Sequence, residues 1–186
     1  KKTLVISIDA LISDDIPFME TLPNLGPIVK GAAQVRDIEC IYPTLTYPCH
    51  VSIMTGCYPD KHQIVHNEHL QVNVPKPQWN WWYRDIQVKT MLDYAQVADL
   101  STATVTWPVM AGAPADYNIA EIWAPTIQDD PTEICTQANS PAVKEIFERN
   151  KHRLKWMLTP EFDNYAEHCG AQIIEMFQPD LMFIHF

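Results

Sequence analysis

The chain has 186 residues, 47% of them apolar, and it lacks an apolar run long enough to span a bilayer, so we expect one soluble domain with a substantial core. Its formal net charge of -10 is spread without acidic blocks, which argues against a nucleic-acid polymer or a membrane surface as partner. Five cysteines without a CxxC pair suit a reducing compartment, so a cytoplasmic location is predicted. Export, with a signal peptide already removed, is the alternative.

The first half of the chain predicts two strands and two helices. Residues 3–9 (TLVISID) form an uninterrupted β-rich run, which is typical of a parallel strand covered on both faces. A short helix ending near Gly31 follows, and then a second strand within 33–43. The next helix is predicted from Pro48 to about Thr55, because proline favours the first turn of a helix.

The second half continues the alternation. The predicted elements are a helix over 85–100, a strand over 101–107, irregular loops over 108–140 at one end of the sheet, a helix opened by Ser140 and Pro141, a helix over 161–177 and a strand over 180–186. Strands that alternate with helices predict a three-layer α/β/α fold with a largely parallel sheet.

That architecture brings two polar residues to one sheet edge, because open α/β sheets bind ligands at the carboxyl ends of their strands. Asp9 ends the first strand, and Thr46 follows the second at a helix N-terminus, where free N–H groups favour an anion. Either residue could instead simply cap the turn or helix that follows it. A threonine hydroxyl is a weak nucleophile without a base or a metal, and no histidine is evidently placed as its base.

The string TYPCHVSIMTGCYPDKHQIVHN resembles the nucleophile segment of the nucleotide pyrophosphatase/phosphodiesterase family in the alkaline phosphatase superfamily. The strings VISIDAL, TLPNL and TVTWPVMAGAPADYNIAEIW resemble further segments of that family. The resemblance implies an alkaline phosphatase-like fold in which Asp9 binds metal, Thr46 is both the nucleophile and a metal ligand, and Asn67 donates to a non-bridging phosphate oxygen. It also implies two divalent metal ions, Zn²⁺ being the first choice.

The function implied by the resemblance is metal-dependent hydrolysis of phosphodiester or nucleotide pyrophosphate bonds through a threonine nucleophile. The expected partner is a small-molecule phosphate ester or nucleotide. Two alternatives remain: a phosphomonoesterase or phosphonate hydrolase of the same superfamily, and a non-catalytic relative or fragment that lacks most metal ligands.

The sequence departs from the family pattern in two places. Gln63 replaces a glycine, which costs stability or shifts the loop carrying Asn67 if that turn needs a positive φ. The family's remaining metal ligands come after the segment that resembles 180–186. We therefore expect residues 1–186 to be the N-terminal part of one catalytic domain, with 70–140 including loops over the active-site edge.

Other residues offer competing interpretations. His62, His66 and His69 have a spacing that would align metal ligands on a helix, although their segment resembles a loop. His50 is interpreted as a buried packing residue. The aromatic segment WNWWYRD (79–85) either stacks a flat ligand or seals the sheet edge. Cys49 lacks the C-x-P-x-R pattern of the sulfatases.

Overall fold

A parallel four-stranded sheet lies at the centre of the protein. The computed structural model describes residues 1–35, 38–75, 77–122, 130–155 and 159–186. Within them the strands are β1 (Thr3–Ser7), β2 (Thr102–Val105), β3 (Tyr117–Ile119) and β4 (Leu181–His185), in the spatial order β1-β4-β2-β3. All neighbours are parallel, with Ser7 opposite His185 and Val105 opposite Ile184. The predicted parallel sheet is therefore confirmed.

The helices connect these strands and cover them. In the described residues they are α1 (Ile16–Met19), α2 (Leu25–Gly31), α3 (Thr46–Thr55), α4 (Pro59–His62), α5 (Met91–Val97), α6 (Thr132–Ala138), α7 (Lys144–Asn150) and α8 (Glu161–Phe177). Short 3-10 turns occupy Ser13–Asp15, Tyr83–Asp85, Pro141–Val143 and Lys151–Arg153. None of the described helices combines the length and apolar character needed to cross a bilayer.

The alternation of side chains along β4 divides the core into two faces. Met182 and Ile184 pack with residues of α6, α7 and α8 on one face. Phe183 points to the other face, where it packs with Met54 of α3 and Leu92 of α5. Helices thus cover both faces of the sheet, which confirms the predicted three-layer α/β/α architecture.

Two strand predictions were wrong in part. β1 pairs only with β4 among the described residues and is an edge strand, so Leu4 (47%) and Ile6 (53%) stay exposed instead of being covered on both faces. The strand predicted within 33–43 is absent from the described residues 33–35 and 38–43. Val35 and Ile38 are about three-quarters exposed there, because no neighbouring strand pairs with them. Arg36 and Asp37 lie outside the described residues.

Helix predictions differ from the structure mainly at boundaries. The helix over 161–177 is confirmed, whereas the one over 85–100 is limited to Met91–Val97. It begins there because Thr90 and Asp93 form a capping box, in which the Thr90 hydroxyl accepts the Leu92 N–H and Asp93 accepts the Thr90 N–H. The region 108–140 also contains β3 and α6, which were not predicted; its residues 123–129 lie outside the described chain.

Candidate active site

Helix α3 places Thr46 at its first position, with the hydroxyl not used for capping. The N-cap is Leu45, whose extended backbone (φ -111°, ψ 151°) leads into the helix without a side-chain capping bond. The interpretation of Thr46 as a plain N-cap is therefore wrong. The helix begins two residues earlier than predicted, at Thr46, and ends as predicted before Gly56, whose φ is +66°.

The N-terminal end of α3 keeps few backbone donors for a ligand. The Tyr47 N–H donates to Asn67 Oδ1 over 2.9 Å, and Pro48 has no N–H. The Cys49 N–H already donates to the Leu45 carbonyl. The Thr46 N–H is thus the backbone donor that this helix end offers to an anion.

Asn67 is held at the start of α3 by both its side chain and its backbone. Because an N–H group donates to it, the side-chain atom that faces Tyr47 must be the amide oxygen, which fixes the orientation of the amide. Its backbone carbonyl accepts the Asn80 N–H over 2.8 Å. The Nδ2 group of Asn67 is then the part of the side chain that can donate to a substrate.

Asp9 lies at the carboxyl end of the sheet, directly after β1. Its N–H donates to the Phe186 carbonyl over 2.8 Å, which extends the pairing of β1 with β4 beyond Ser7. The carboxylate is exposed, and its Oδ1 accepts the Ala10 N–H over 3.1 Å. This bond to the following residue resembles the capping role considered for Asp9, yet the exposed carboxylate retains acceptor capacity for a ligand.

The buried His50 joins β1 to α3 and so fixes the two halves of the site. Its Nδ1 lies 2.7 Å from the Thr46 carbonyl, which can only accept, so Nδ1 carries the proton. Nε2 therefore accepts from the Ser7 hydroxyl at 2.8 Å. Burial lowers the pKa of His50, which keeps the ring neutral. His50 is a buried, hydrogen-bonded packing residue, as predicted, and both ring nitrogens are occupied.

A second buried histidine, which the sequence interpretation missed, lies beside the first. The rings of His50 and His185 are 4.5 Å apart, and His185 Nδ1 lies 3.9 Å from Glu121 Oε1. Burial and the neighbouring His50 lower the pKa of His185 to about 4, so this contact is not an ion pair at neutral pH. Glu121 also helps to raise the pKa of the buried Tyr47, after burial itself. The sequence feature that could have revealed His185 and Glu121 is a polar residue at the end of an apolar strand segment.

The three histidines considered as metal ligands are engaged separately. His62 is buried, with Nε2 3.0 Å from the Ser52 hydroxyl and Nδ1 accepting the Ile64 N–H. His66 accepts the Glu68 N–H, and His69 lies 4.0 Å from Asp85. Since α4 ends at His62, the three do not share a helix face. That interpretation was wrong.

The donor set at the sheet edge fits part of a divalent-metal site. The carboxylate of Asp9 and the hydroxyl of Thr46 are oxygen donors of the kind that such cations bind. In the described residues, however, no group of three or more His, Cys, Asp and Glu side chains could hold a metal ion. Asp9 and Thr46 can therefore contribute ligands, but the described residues do not complete a site.

The aromatic segment 79–85 mostly closes the core. Trp81 is buried, and Trp79 packs edge-on against Tyr47 at 5.4 Å between ring centroids. The guanidinium of Arg84 lies 4.6 Å from the centre of the Trp82 ring. Sealing of the sheet edge is the interpretation that these contacts favour.

Comparison with known proteins relates this arrangement to one family. The family model of type I phosphodiesterases and nucleotide pyrophosphatases matches residues 3–186. Bovine bis(5'-adenosyl)-triphosphatase ENPP4 is 35% identical over 75 residues, which cover 40% of this chain and 16% of that protein.

Solved structures share the fold over nearly the whole chain. Phosphonoacetate hydrolase from Sinorhizobium meliloti 1021, in complex with phosphonoacetate, has a TM-score of 0.69 at 16% identity and covers 99% of this chain. An inactive murine ectonucleotide pyrophosphatase/phosphodiesterase 5, with a threonine replaced by alanine and AMP bound, has a TM-score of 0.60 at 18% identity. The chain spans 45% and 43% of these two structures.

Proposed function

The chain belongs to the type I phosphodiesterase/nucleotide pyrophosphatase family, and we propose from this that it forms part of a hydrolase of phosphodiester or nucleotide pyrophosphate bonds with Thr46 as the nucleophile. The observation that carries the proposal is the position of the Thr46 hydroxyl at the first residue of α3, at the same sheet edge as Asp9 and beside Asn67.

In this mechanism Thr46 Oγ1 attacks phosphorus, and the bond from phosphorus to the leaving group breaks. The Thr46 hydroxyl releases its proton to solvent, and the leaving group departs with the bonding electron pair and takes up a proton. Water later cleaves the bond between Thr46 and phosphorus, giving its hydroxyl to phosphorus and a proton to Oγ1. In this proposal the N–H of Thr46 and the Nδ2 group of Asn67 donate to the non-bridging oxygens on which negative charge builds. Support for the role of Asn67 is that its Oδ1 already accepts the Tyr47 N–H, which leaves Nδ2 for a ligand.

The residues described around Thr46 supply no evident general base. His50 donates through Nδ1 and accepts through Nε2, so neither nitrogen is available to the Thr46 hydroxyl. Members of the family depend on divalent metal ions. We propose that Asp9 and Thr46, together with further protein ligands, bind two divalent ions. Zn²⁺ is the ion that we propose first. A bound divalent cation lowers the pKa of the hydroxyl that coordinates it.

The proposed substrate is a small phosphate ester or nucleotide. Support comes from the bovine relative, which is named as a bis(5'-adenosyl)-triphosphatase, and from the AMP bound in the murine structure. The likeness to phosphonoacetate hydrolase shows a shared fold, so phosphonates belong in the substrate panel beside phosphodiesters, phosphomonoesters and dinucleotide polyphosphates.

Thr46→Ala tests the nucleophile. The variant should fold with an unfolding free energy within about 1 kcal/mol of wild type, because Leu45 rather than the Thr46 side chain occupies the N-cap. In the catalytic domain with its full set of metal ligands, turnover of a 4-nitrophenyl phosphodiester should vanish, while Thr46→Ser, which keeps a hydroxyl, retains measurable turnover. More than a few per cent of wild-type activity in Thr46→Ala would exclude this residue as the nucleophile.

Asp9→Asn tests the proposed metal ligand. A neutral amide is a weaker ligand for a divalent cation than a carboxylate, and Asn can still accept the Ala10 N–H that Asp9 accepts. Metal content after dialysis, measured by elemental analysis, should therefore fall while thermal stability of the metal-free protein is retained. An unchanged metal content would restrict Asp9 to capping the turn.

A further inference from the structure

Two cysteines meet beside the first turn of the proposed nucleophile helix. Cys40 belongs to the segment that enters α3, and Cys49 lies in α3 three residues after Thr46. Their sulfur atoms are 3.3 Å apart, although the residues are nine positions apart in the chain. Cys40 is exposed and Cys49 is half-buried. A small reagent can therefore reach this pair from solvent.

We propose that Cys40 and Cys49 are a redox-modification site that forms a reversible disulfide by exchange with small-molecule disulfides of the glutathione class. Formation of the bond requires the sulfur atoms to approach each other by roughly 1 Å, since a disulfide measures about 2 Å. The loop closed by this bond runs from residue 40 to residue 49 and contains Thr46. Oxidation would thus restrain the backbone around the hydroxyl, whatever reaction the site performs.

The exchange proceeds in two steps whose atoms and electrons balance. The Cys40 thiolate attacks one sulfur of the external disulfide, whose other sulfur leaves as a thiolate and takes up a proton. Cys49 then loses its proton and attacks the Cys40 sulfur, and the second external thiol leaves. Two protein thiols are oxidised to one disulfide, while one external disulfide is reduced to two thiols.

The environments of the two sulfur atoms favour this order. Burial, together with the neighbouring Cys40 thiol, raises the pKa of Cys49 to about 12. The exposed Cys40 is therefore the sulfur that attacks first. Once Cys40 is part of a mixed disulfide it no longer carries the thiol that helps to suppress ionisation of Cys49, so the second step becomes easier.

The remaining cysteines provide internal controls. Cys135 and Cys169 are buried in the core, where burial raises the pKa of each to about 12, and they should not react in the folded protein. Cys57 is half-buried, as Cys49 is. It also shares the tryptic peptide 37–61 with the pair, because cleavage follows Arg36 and Lys61. Cys57→Ser is therefore the reference background.

The test is exchange with oxidised glutathione in three variants: Cys57→Ser, and the same background carrying Cys40→Ser or Cys49→Ser. After an acid quench, unfolding, alkylation and trypsin digestion, the mass of peptide 37–61 is measured. In the Cys57→Ser protein most of this peptide should lack two hydrogen atoms and carry no alkyl group, and dithiothreitol should reverse the change. Each double variant should instead yield an alkylated cysteine or a glutathione adduct.

A Cys57→Ser peptide that stays alkylated on both cysteines in excess oxidised glutathione would overturn the proposal. So would one that carries glutathione on both without an internal disulfide. Circular dichroism of the reduced variants checks that each is folded. Since the readout is a peptide mass, its outcome is independent of the proposed hydrolase activity.

Discussion

The side chain of Asn67 has two roles, one in the fold and one in the proposed chemistry. Its Oδ1 accepts the Tyr47 N–H at the start of α3, which leaves Nδ2 for a phosphate oxygen. The family resemblance pointed to the second role of Asn67. The first could not be predicted, because it is a tertiary contact between residues twenty positions apart, and local sequence patterns do not encode such contacts. The same holds for the Ser7–His50 hydrogen bond.

Two substitutions of Asn67 separate these roles. Asn67→Ala removes the acceptor of the Tyr47 N–H and should lower the unfolding free energy by about 1 kcal/mol. Asn67→Asp keeps an acceptor at a helix N-terminus, where negative charge is favourable, and should therefore retain stability. Because it lacks the Nδ2 donors and repels phosphate, its kcat/KM for a 4-nitrophenyl phosphodiester should fall by roughly 100-fold or more. Wild-type turnover in Asn67→Asp would refute the donor role.

At the scale of elements, the strength of the sequence pattern decided which predictions succeeded. Helix α8 shows a helical pattern over 17 residues, and its bounds were predicted correctly. Strand β3 has three residues, too few to display a period, and was missed. The segment 33–43 has a strand-like composition, but among its described residues no neighbour supplies the ladder hydrogen bonds that a strand needs.

The end of α4 shows the cost of one departure from the family pattern. Gln63, where the family has glycine, is the C-cap of α4 with φ +66° and ψ 7°, so the turn does need a positive φ, as considered from the sequence. The left-handed conformation is unfavourable for a residue with a side chain by about 1 kcal/mol or more. Gln63 therefore holds a strained backbone conformation at the end of α4.

Gln63→Gly should therefore raise the unfolding free energy by about 0.5 to 1 kcal/mol in urea denaturation. The matched control is Gln172→Gly within α8, where glycine should instead lower stability by about 1 kcal/mol. If both substitutions destabilise the protein to the same extent, the turn at residue 63 is not strained by its side chain.

At the scale of the whole molecule, the parallel sheet collects polar groups at one edge. Asp9 follows β1, His185 ends β4, and Glu121 follows β3, while α3 brings Thr46 and His50 to the same end. The α/β alternation and the position of Asp9 after a parallel strand were predictable. The strand order was not predicted, and Thr46 was expected after a strand within 33–43 that the described residues do not contain. The contact of His50 with a second buried histidine, His185, was not predictable, because it joins residues from distant parts of the chain.

This buried cluster makes global stability depend on pH. Burial lowers the pKa of His185 to about 4 and lowers that of His50 as well, whereas an unfolded histidine has a pKa of about 6.5. The unfolded chain therefore binds more protons below about pH 6.5, and stability falls as the pH drops from there towards 4. His185 faces His50, Asp9 and Glu121, so its neutral state also depends on these groups.

For His185 alone, the unfolding free energy of the protein in a chelator should fall by roughly 1.5 kcal/mol between about pH 6.5 and pH 5, above the range where most carboxylates titrate. His185→Gln replaces the ring by a neutral amide that does not titrate. Between about pH 6.5 and pH 5, the unfolding free energy of this variant should therefore fall by roughly 1.5 kcal/mol less than that of wild type. A smaller decline should persist because His50 is still present. Urea denaturation at a series of pH values measures both curves, and identical slopes would show that His185 does not change its protonation on folding.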